Sequence, residues 1–267
     1  CHFDKEAANF LLTRAKDGVG LVLPGMQCVR DTMGRRWLYQ NKKMFKELAD
    51  YMVEYHKTGS KLFIQLAAGF GRSMAVAPWM VTLNNNKLLG ALARPVIDVS
   101  YCCASASATP NRWQEDMLSR PMTVEEIHEM VDAFGKTAKQ LREAGVDGVE
   151  IHAAHAHGLL GGFLSPLYNK RTDEYGGDID GRLKLTLDVV REVRERCGKN
   201  FIIDVRISGD EYSEGGLTLR DQVYVAKQLE RAGVDMLHVS GGTTIKRGSA
   251  IPGNGTSPAS HAELSRE

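Results

Sequence analysis

The chain of 267 residues contains no stretch approaching the roughly 18 uninterrupted apolar residues that a membrane-spanning helix needs, so neither a spanning helix nor a membrane partner is expected. It has no excess of charge of either sign: 34 Lys+Arg against 33 Asp+Glu leave a formal net charge of +1. That balance removes the electrostatic reason to expect nucleic acid or an anionic surface as partner. Cysteine is sparse. Cys1, Cys28, Cys102, Cys103 and Cys197 form no Cys-x-x-Cys pair and no metal-ligand spacing. An odd, scattered set fits a reducing compartment better than a disulfide framework, and cytoplasm is the expected location. Also missing is a Gly-x-Gly-x-x-Gly turn after a strand, which weighs against a dinucleotide-binding doubly wound sheet.

What is present is ordinary for a globular protein, 43% hydrophobic and 25% charged. Apolar runs of strand length alternate with longer amphipathic segments, the pattern of βα units around a parallel sheet. Strands are predicted at 18–24, 61–66, 148–152, 201–207 and 236–239, and helices at 6–17, 42–58, 123–144, 179–197 and 218–232. Thr123-Val124-Glu125-Glu126 has the form of a capping box and sets the start of the third helix. Ala144-Gly145-Val146-Asp147 and Ala232-Gly233-Val234-Asp235 echo one another, each reading as a helix end and tight turn before a buried strand. The fold class expected is α/β, a (β/α)8 (TIM) barrel in preference to an open doubly wound sheet. Five strands fall short of the eight a barrel needs, so residues 1–267 read as a fragment, or as a chain whose ends lie elsewhere. Residues 67–122 show little periodicity and leave the C-terminal end of a strand, the side on which barrels build their sites. Its Tyr101, Trp79, Trp113, Met74 and Met80 are open to two readings, an apolar lid or local packing.

The stretch richest in chemistry is Ile151-His152-Ala153-Ala154-His155-Ala156-His157-Gly158, beginning where the strand 148–152 ends. Three imidazoles spaced by small residues can donate to a substrate oxygen, shuttle protons or bind a metal. The following stretch, Phe163-Leu164-Ser165-Pro166 through Asn169-Lys170-Arg171-Thr172-Asp173-Glu174-Tyr175-Gly176-Gly177, reads as a structural loop whose charges lock one another. Arg206 sits inside a predicted strand, where a guanidinium needs a partner: a carboxylate such as Asp204 or Glu150, or a bound group. Gln65 ends the strand 61–66 and offers an amide donor and acceptor, while Gly25, at the end of the strand 18–24, leaves its backbone approachable.

His-Ala-Ala-His, then Phe-Leu-Ser-Pro, then Asn-Lys-Arg-Thr-Asp-Glu-Tyr-Gly-Gly resembles the signature of the old yellow enzyme family of NADH:flavin oxidoreductases. The similarity is closer to the branch of 2,4-dienoyl-CoA reductase, enoate reductase and the bile-acid-inducible reductases. Supporting segments are Gly18–Gly25, Ile64-Gln65-Leu66 with Gly71-Arg72, Pro110-Asn111-Arg112-Trp113, Asp204-Val205-Arg206-Ile207-Ser208 and Val239-Ser240-Gly241-Gly242, in the family's order. The resemblance implies an FMN-binding barrel of which about strands 2 to 6 are present, the first strand and the last two βα units being absent. It implies cofactor binding by Gly25, Gln65 and Arg206, the arginine beside the flavin N1/C2 edge. It implies that His152 and His155 bind a substrate carbonyl oxygen. His157 stands where the family usually has a proton-donating tyrosine; two readings stay open, an imidazole serving that role near neutral pH, or a proton from another residue or water with His157 shaping the pocket. Electrons would come from NAD(P)H, with FAD and a 4Fe-4S cluster in further parts of the protein.

The expected activity is therefore an FMN-dependent ene-reductase acting on a small-molecule α,β-unsaturated carbonyl compound. A homo-oligomer is compatible with the sequence. Two other classes remain: a zinc-dependent barrel hydrolase using His152, His155 and His157, and a non-catalytic flavin-binding subunit.

Overall fold

The computed structural model describes residues 3–31, 36–156, 158–243 and 262–266. In chain order its helices and strands are α1 (Lys5–Lys16), β1 (Leu21–Val22), β2 (Gln27–Cys28), α2 (Lys42–His56) and β3 (Lys61–Ala67). Then come α3 (Pro78–Asn85), α4 (Lys87–Ala93), α5 (Val99–Cys102), α6 (Val124–Glu143) and β4 (Gly148–His152). The last are α7 (Leu159–Leu164), α8 (Ile179–Cys197), β5 (Ile202–Ser208), α9 (Leu219–Arg231) and β6 (Met236–Ser240). No helix among the described residues is long and apolar enough to cross a membrane.

The strands form one parallel sheet in the order β1-β3-β4-β5-β6, with β2 also on β3. Successive side chains of a strand point to opposite faces. On one face Leu62, Leu66, Val149, Ile151, Ile203 and Val205 join a single apolar cluster with Phe134 and Leu141 of α6, Leu183 and Val193 of α8, and Leu229 of α9. The opposite alternation carries Gln65, Glu150, His152, Asp204, Arg206 and His238. Neighbouring helices touch in sequence, α1 with α2, α2 with α6, α6 with α8 and α8 with α9. One helical layer outside and a polar strand face inside is the wall of a partial (β/α) barrel. A doubly wound sheet would place helices over both faces and make both apolar.

The predicted strand 18–24 is instead broken. Val22 pairs with Leu62 and Gln27 with Leu66, so the edge strand takes five steps where β3 takes four. The extra residue is accommodated across residues 23–26, where Pro24 has no N–H to give the ladder. Gly25 thus lies in the interruption between β1 and β2 and does not close a strand. The stretch 67–122 also differs from a plain loop. Its short helices enclose a small core of Met80, Ile97, Val99, Cys103 and Met117, with Met74 against it. Tyr101 packs against the main core, and Trp79 and Trp113 are exposed. Met74, Met80 and Tyr101 thus pack locally, and Trp113 is tied down by its Nε1 donating to Ser73 O at 3.0 Å.

The sequence echo has a structural counterpart. Gly145 and Gly233 both take positive φ, 89° and 92°, ending α6 and α9 in a conformation that favours glycine. The aspartates that follow do the same work. Asp147 Oδ2 accepts from the Leu62 N–H at 3.0 Å, and Asp235 Oδ2 from the Ile203 N–H at 2.8 Å. Each ties the start of its own strand to that of the preceding neighbour. The capping box at α6 forms as predicted: Thr123 Oγ1 accepts from Glu126 N at 3.2 Å, and Glu126 Oε2 accepts from Thr123 N at 3.0 Å.

Burial works against ionisation of Asp147, but donors from Leu62 N–H, Lys61 and His56 hold its carboxyl below the ordinary value. Asp147→Ala leaves the buried Leu62 amide without its side-chain acceptor. Its expected cost, read from urea midpoints at neutral pH, is about 1–3 kcal/mol. Because the folded-state value is depressed, this contribution is present above the ordinary 3.8 and is lost as pH falls through the lowered value, so the gap between variant and wild type should close only in acid.

Candidate active site

In a parallel sheet all strands end on the same side, so β4, β5 and β6 deliver His152, Ser208 and Ser240 to one rim. After β4 the Ala153 N–H donates to Arg206 O at 2.9 Å, extending the pairing by one residue. The chain then turns through His155 and Ala156, both in the left-handed region with φ of 65° and 51°. For residues with a Cβ this costs on the order of 1 kcal/mol or more and persists only where surroundings impose it. They do so here. The His155 N–H donates to Ser208 Oγ at 2.7 Å. From behind, α7 closes on the turn so tightly that a Cβ at Gly161 would lie 2.8 Å from Ala154 O.

This turn sets the two imidazoles side by side, with ring centroids 5.7 Å apart and both residues buried. His155 Nε2 lies 2.7 Å from Ser240 Oγ, and Arg206 Nη2 donates to the same hydroxyl at 3.3 Å. Ser240 therefore joins the imidazole and the guanidinium, and Ser208 holds the turn; neither was singled out from sequence. A usable signal existed, since Ser208 and Ser240 are serines at the ends of two predicted or adjacent strand segments and are register partners in the fold. Arg206 has no carboxylate partner among the described residues, and its buried Nε has no hydrogen-bond partner. The ion pair with Asp204 or Glu150 that the sequence left open is not made.

Below the rim the interior is also polar. Gln65 Nε2 donates to Glu150 Oε1, and Glu150 Oε2 lies 2.6 Å from His238 Nδ1. Burial alone would raise the Glu150 carboxyl, but contacts with His238, Asp204 and Gln65 hold it well below the carboxylate range. Gln65 and Arg206, expected together, lie on strands separated by β4, with the Gln65 amide turned to Glu150. Gly25 is on the far side of β3, exposed, and a Cβ there would meet no atom within 4 Å. His157 lies outside the described residues. Among the described residues no third His, Cys, Asp or Glu converges on His152 and His155 to make a metal site.

The loop after α7 acts as a brace. Asn169 Nδ2 donates to Phe163 O at 2.6 Å and Tyr175 O at 2.7 Å, closing the loop on itself. Arg171 Nη1 donates to Met122 O at 2.7 Å and Ala106 O at 3.1 Å while its guanidinium pairs with Asp173. The 67–122 excursion is thereby fastened to the rim, in keeping with the structural reading of these charges. Among the described cysteines burial favours the neutral thiol, pushing Cys28 and Cys197 up to about 11, and Cys102 and Cys103 up to about 12.

Comparison with known proteins agrees with this architecture. The family model of the NADH:flavin oxidoreductase / NADH oxidase family matches residues 3–258. Cinnamate reductase of Clostridium sporogenes is 33% identical over 257 residues, covering 88% of this chain and 36% of its own length. The chain thus spans about a third of that relative. Among solved structures, a 2-naphthoyl-CoA reductase complex superposes with a TM-score of 0.79 at 22% identity, covering 98% of this chain and 39% of that one. Old yellow enzyme from Pichia sp. AKU4542 gives 0.69 at 23% identity, covering 89% of this chain and 62% of that one. At such identities the structural likeness speaks for the fold. The family match over nearly the whole chain speaks for descent, and this chain belongs to the NADH:flavin oxidoreductase / NADH oxidase family.

Proposed function

We propose that the whole protein is an FMN-dependent ene-reductase that uses electrons from NAD(P)H to reduce the activated C=C bond of an α,β-unsaturated carbonyl compound. The observation that carries this reading is the meeting, at the barrel rim, of a half-buried arginine that has no carboxylate partner among the described residues with two adjacent imidazoles, in a member of a flavin oxidoreductase family. Cinnamate, in the name of the C. sporogenes relative, is a compound of the proposed substrate class.

The residues present fit FMN. Arg206 keeps a buried Nε without a hydrogen-bond partner among the described residues, and a Cβ at the exposed Gly25 would meet no atom within 4 Å. When bound, FMN supplies a planar two-electron carrier able to deliver hydride. Arg206 would hold its pyrimidine edge and place a fixed cation where reduction leaves negative charge. Gln65 retains a second amide hydrogen and a carbonyl oxygen for the same edge, while Gly25 leaves its backbone open to approach. His152 and His155 would donate to the substrate carbonyl oxygen, drawing electron density from the double bond and stabilising the charge that develops there. His155 makes this contact by exchanging Ser240 for the substrate. His157 would give the proton to the α-carbon. In this reading residues 1–267 are a partial FMN-binding barrel domain. The first strand, the last two βα units, an FAD- and NAD(P)H-binding module and a 4Fe-4S cluster belong to the rest of the protein.

Purified full-length protein is expected to be yellow, to bleach under anaerobic NAD(P)H and to recover colour on addition of an enone or enoate. Colourless protein with stoichiometric zinc would instead support the hydrolase, and a yellow protein that no alkene reoxidises the binding subunit. His155→Ala should lower turnover by about 10²–10³-fold with flavin content unchanged, as for loss of a donor to a developing oxyanion; unaltered turnover would refute its role. Arg206→Gln should weaken flavin retention and lower its midpoint potential, measured by dialysis and by anaerobic reductive titration. An unchanged potential would remove Arg206 from the site.

A further inference from the structure

Two carboxyl groups lie against each other inside the barrel wall. Glu150 and Asp204 are register partners on β4 and β5, and both are fully buried. Both Glu150 oxygens are already engaged, by Gln65 and by His238. Neither Asp204 oxygen makes a hydrogen bond of good geometry among the described residues, and the backbone N–H groups of Val205 and His238 offset its burial only in part. Polar atoms of Asp204, Glu150 and His238 all lie within 4.8 Å of one another. Two ionised carboxylates so placed, away from water, repel strongly unless something positive lies between them. A metal ion does not suit the spacing. Metal–ligand bonds of about 2.0–2.1 Å set tetrahedral ligand atoms roughly 3.3 Å apart. The His238 Nδ1 to Glu150 Oε2 separation is 2.6 Å, the length of a hydrogen bond.

We propose that Asp204 is a neutral acid donating its proton to Glu150, and that this makes it a positioning residue: the carboxyl pair beneath Arg206 carries one negative charge instead of two. A second charge two residues before Arg206 on β5 would draw the guanidinium down into the barrel and offset its positive field at the rim. The consequence at the rim rests on the flavin reading above, whereas the shared proton does not. The charged or titratable groups facing the pair among the described residues are His238 from β6, and His152 and Arg206 further along the pair's own strands; β3 presents the neutral Gln65. Burial and the neighbouring Glu150 push the Asp204 carboxyl up to about 8, so the second charge appears only in mild alkali.

Asp204→Asn tests this in the full-length holoprotein, because the amide keeps a donor toward Glu150 and cannot ionise. At neutral pH the wild type should show an infrared C=O band of a protonated carboxyl that is lost in the variant and, in wild type, lost above about pH 8. A raised acid keeps its proton folded while the unfolded chain releases it, so wild-type stability falls from the ordinary carboxylate value up to the raised one. The melting temperature of the variant relative to wild type should therefore climb between about pH 5 and 8. The wild-type flavin potential should drop below that of the variant as pH passes the same point. Absence of the band, a melting gap independent of pH, or a stoichiometric metal lost with Asp204→Asn would overturn the shared proton. A potential gap that ignores pH would overturn the positioning role. Should the variant not fold, the wild-type band and its alkaline loss decide. A preparation without flavin counts against the proposed function, while the infrared and melting arms still decide the proton.

Discussion

A β-strand turns each successive side chain to the opposite side, and β4 and β5 must satisfy incompatible surroundings within a few residues. Val149, Ile151, Ile203 and Val205 close against the helices, while Glu150, His152, Asp204 and Arg206 occupy the inner face between them. Burying polar groups is costly unless they find partners. The inner face meets that demand through cross-strand pairing, with Glu150 held by Gln65 on one side and His238 on the other. A slip of one residue in register would send the charged set into the helical layer. The register is therefore pinned at the strand starts, by Asp147 on Leu62 and Asp235 on Ile203. Everything at the rim depends on that alignment.

The rim itself is ordered from behind. The left-handed turn at His155 and Ala156 places its imidazole where a regular strand end would not, and the turn is held by Ser208 and by the close approach of α7 at Gly161. Ser240 then links His155 to Arg206. Rigid placement of donors before a reaction is what makes them effective, since no reorganisation is needed when charge develops. The brace formed by Asn169 and Arg171 serves the same end at a greater distance, fastening the 67–122 excursion to the chain that follows α7.

Much of this was legible in residue order. The five long helices fall within a residue or two of their predicted spans, because each has a strong apolar stripe and a capping residue such as Thr123 or Thr218. Strands β3 to β6 were equally plain as short apolar or alternating runs. The misses have two causes. Helix α7, Leu-Leu-Gly-Gly-Phe-Leu, is buried on every side and has no polar face to reveal a helical period. The break between β1 and β2 and the small core of Met80, Ile97 and Met117 depend on residues distant in sequence. Periodicity has no access to such contacts.

Local chemistry in the sequence by itself determined the alternation of helix and strand, the parallel α/β class and the presence of imidazoles at a strand end. These follow from spacing, capping and backbone preference, which act over a few residues. Only the tertiary structure decided that Arg206 takes Ser240 instead of a carboxylate, that Gln65 turns to Glu150, and that Asp204 lies against Glu150 with no hydrogen bond of good geometry among the described residues. The reason is geometric. Which polar groups meet on the inner face is set by the register between strands some 30 to 90 residues apart, a relation that exists only once those strands have paired.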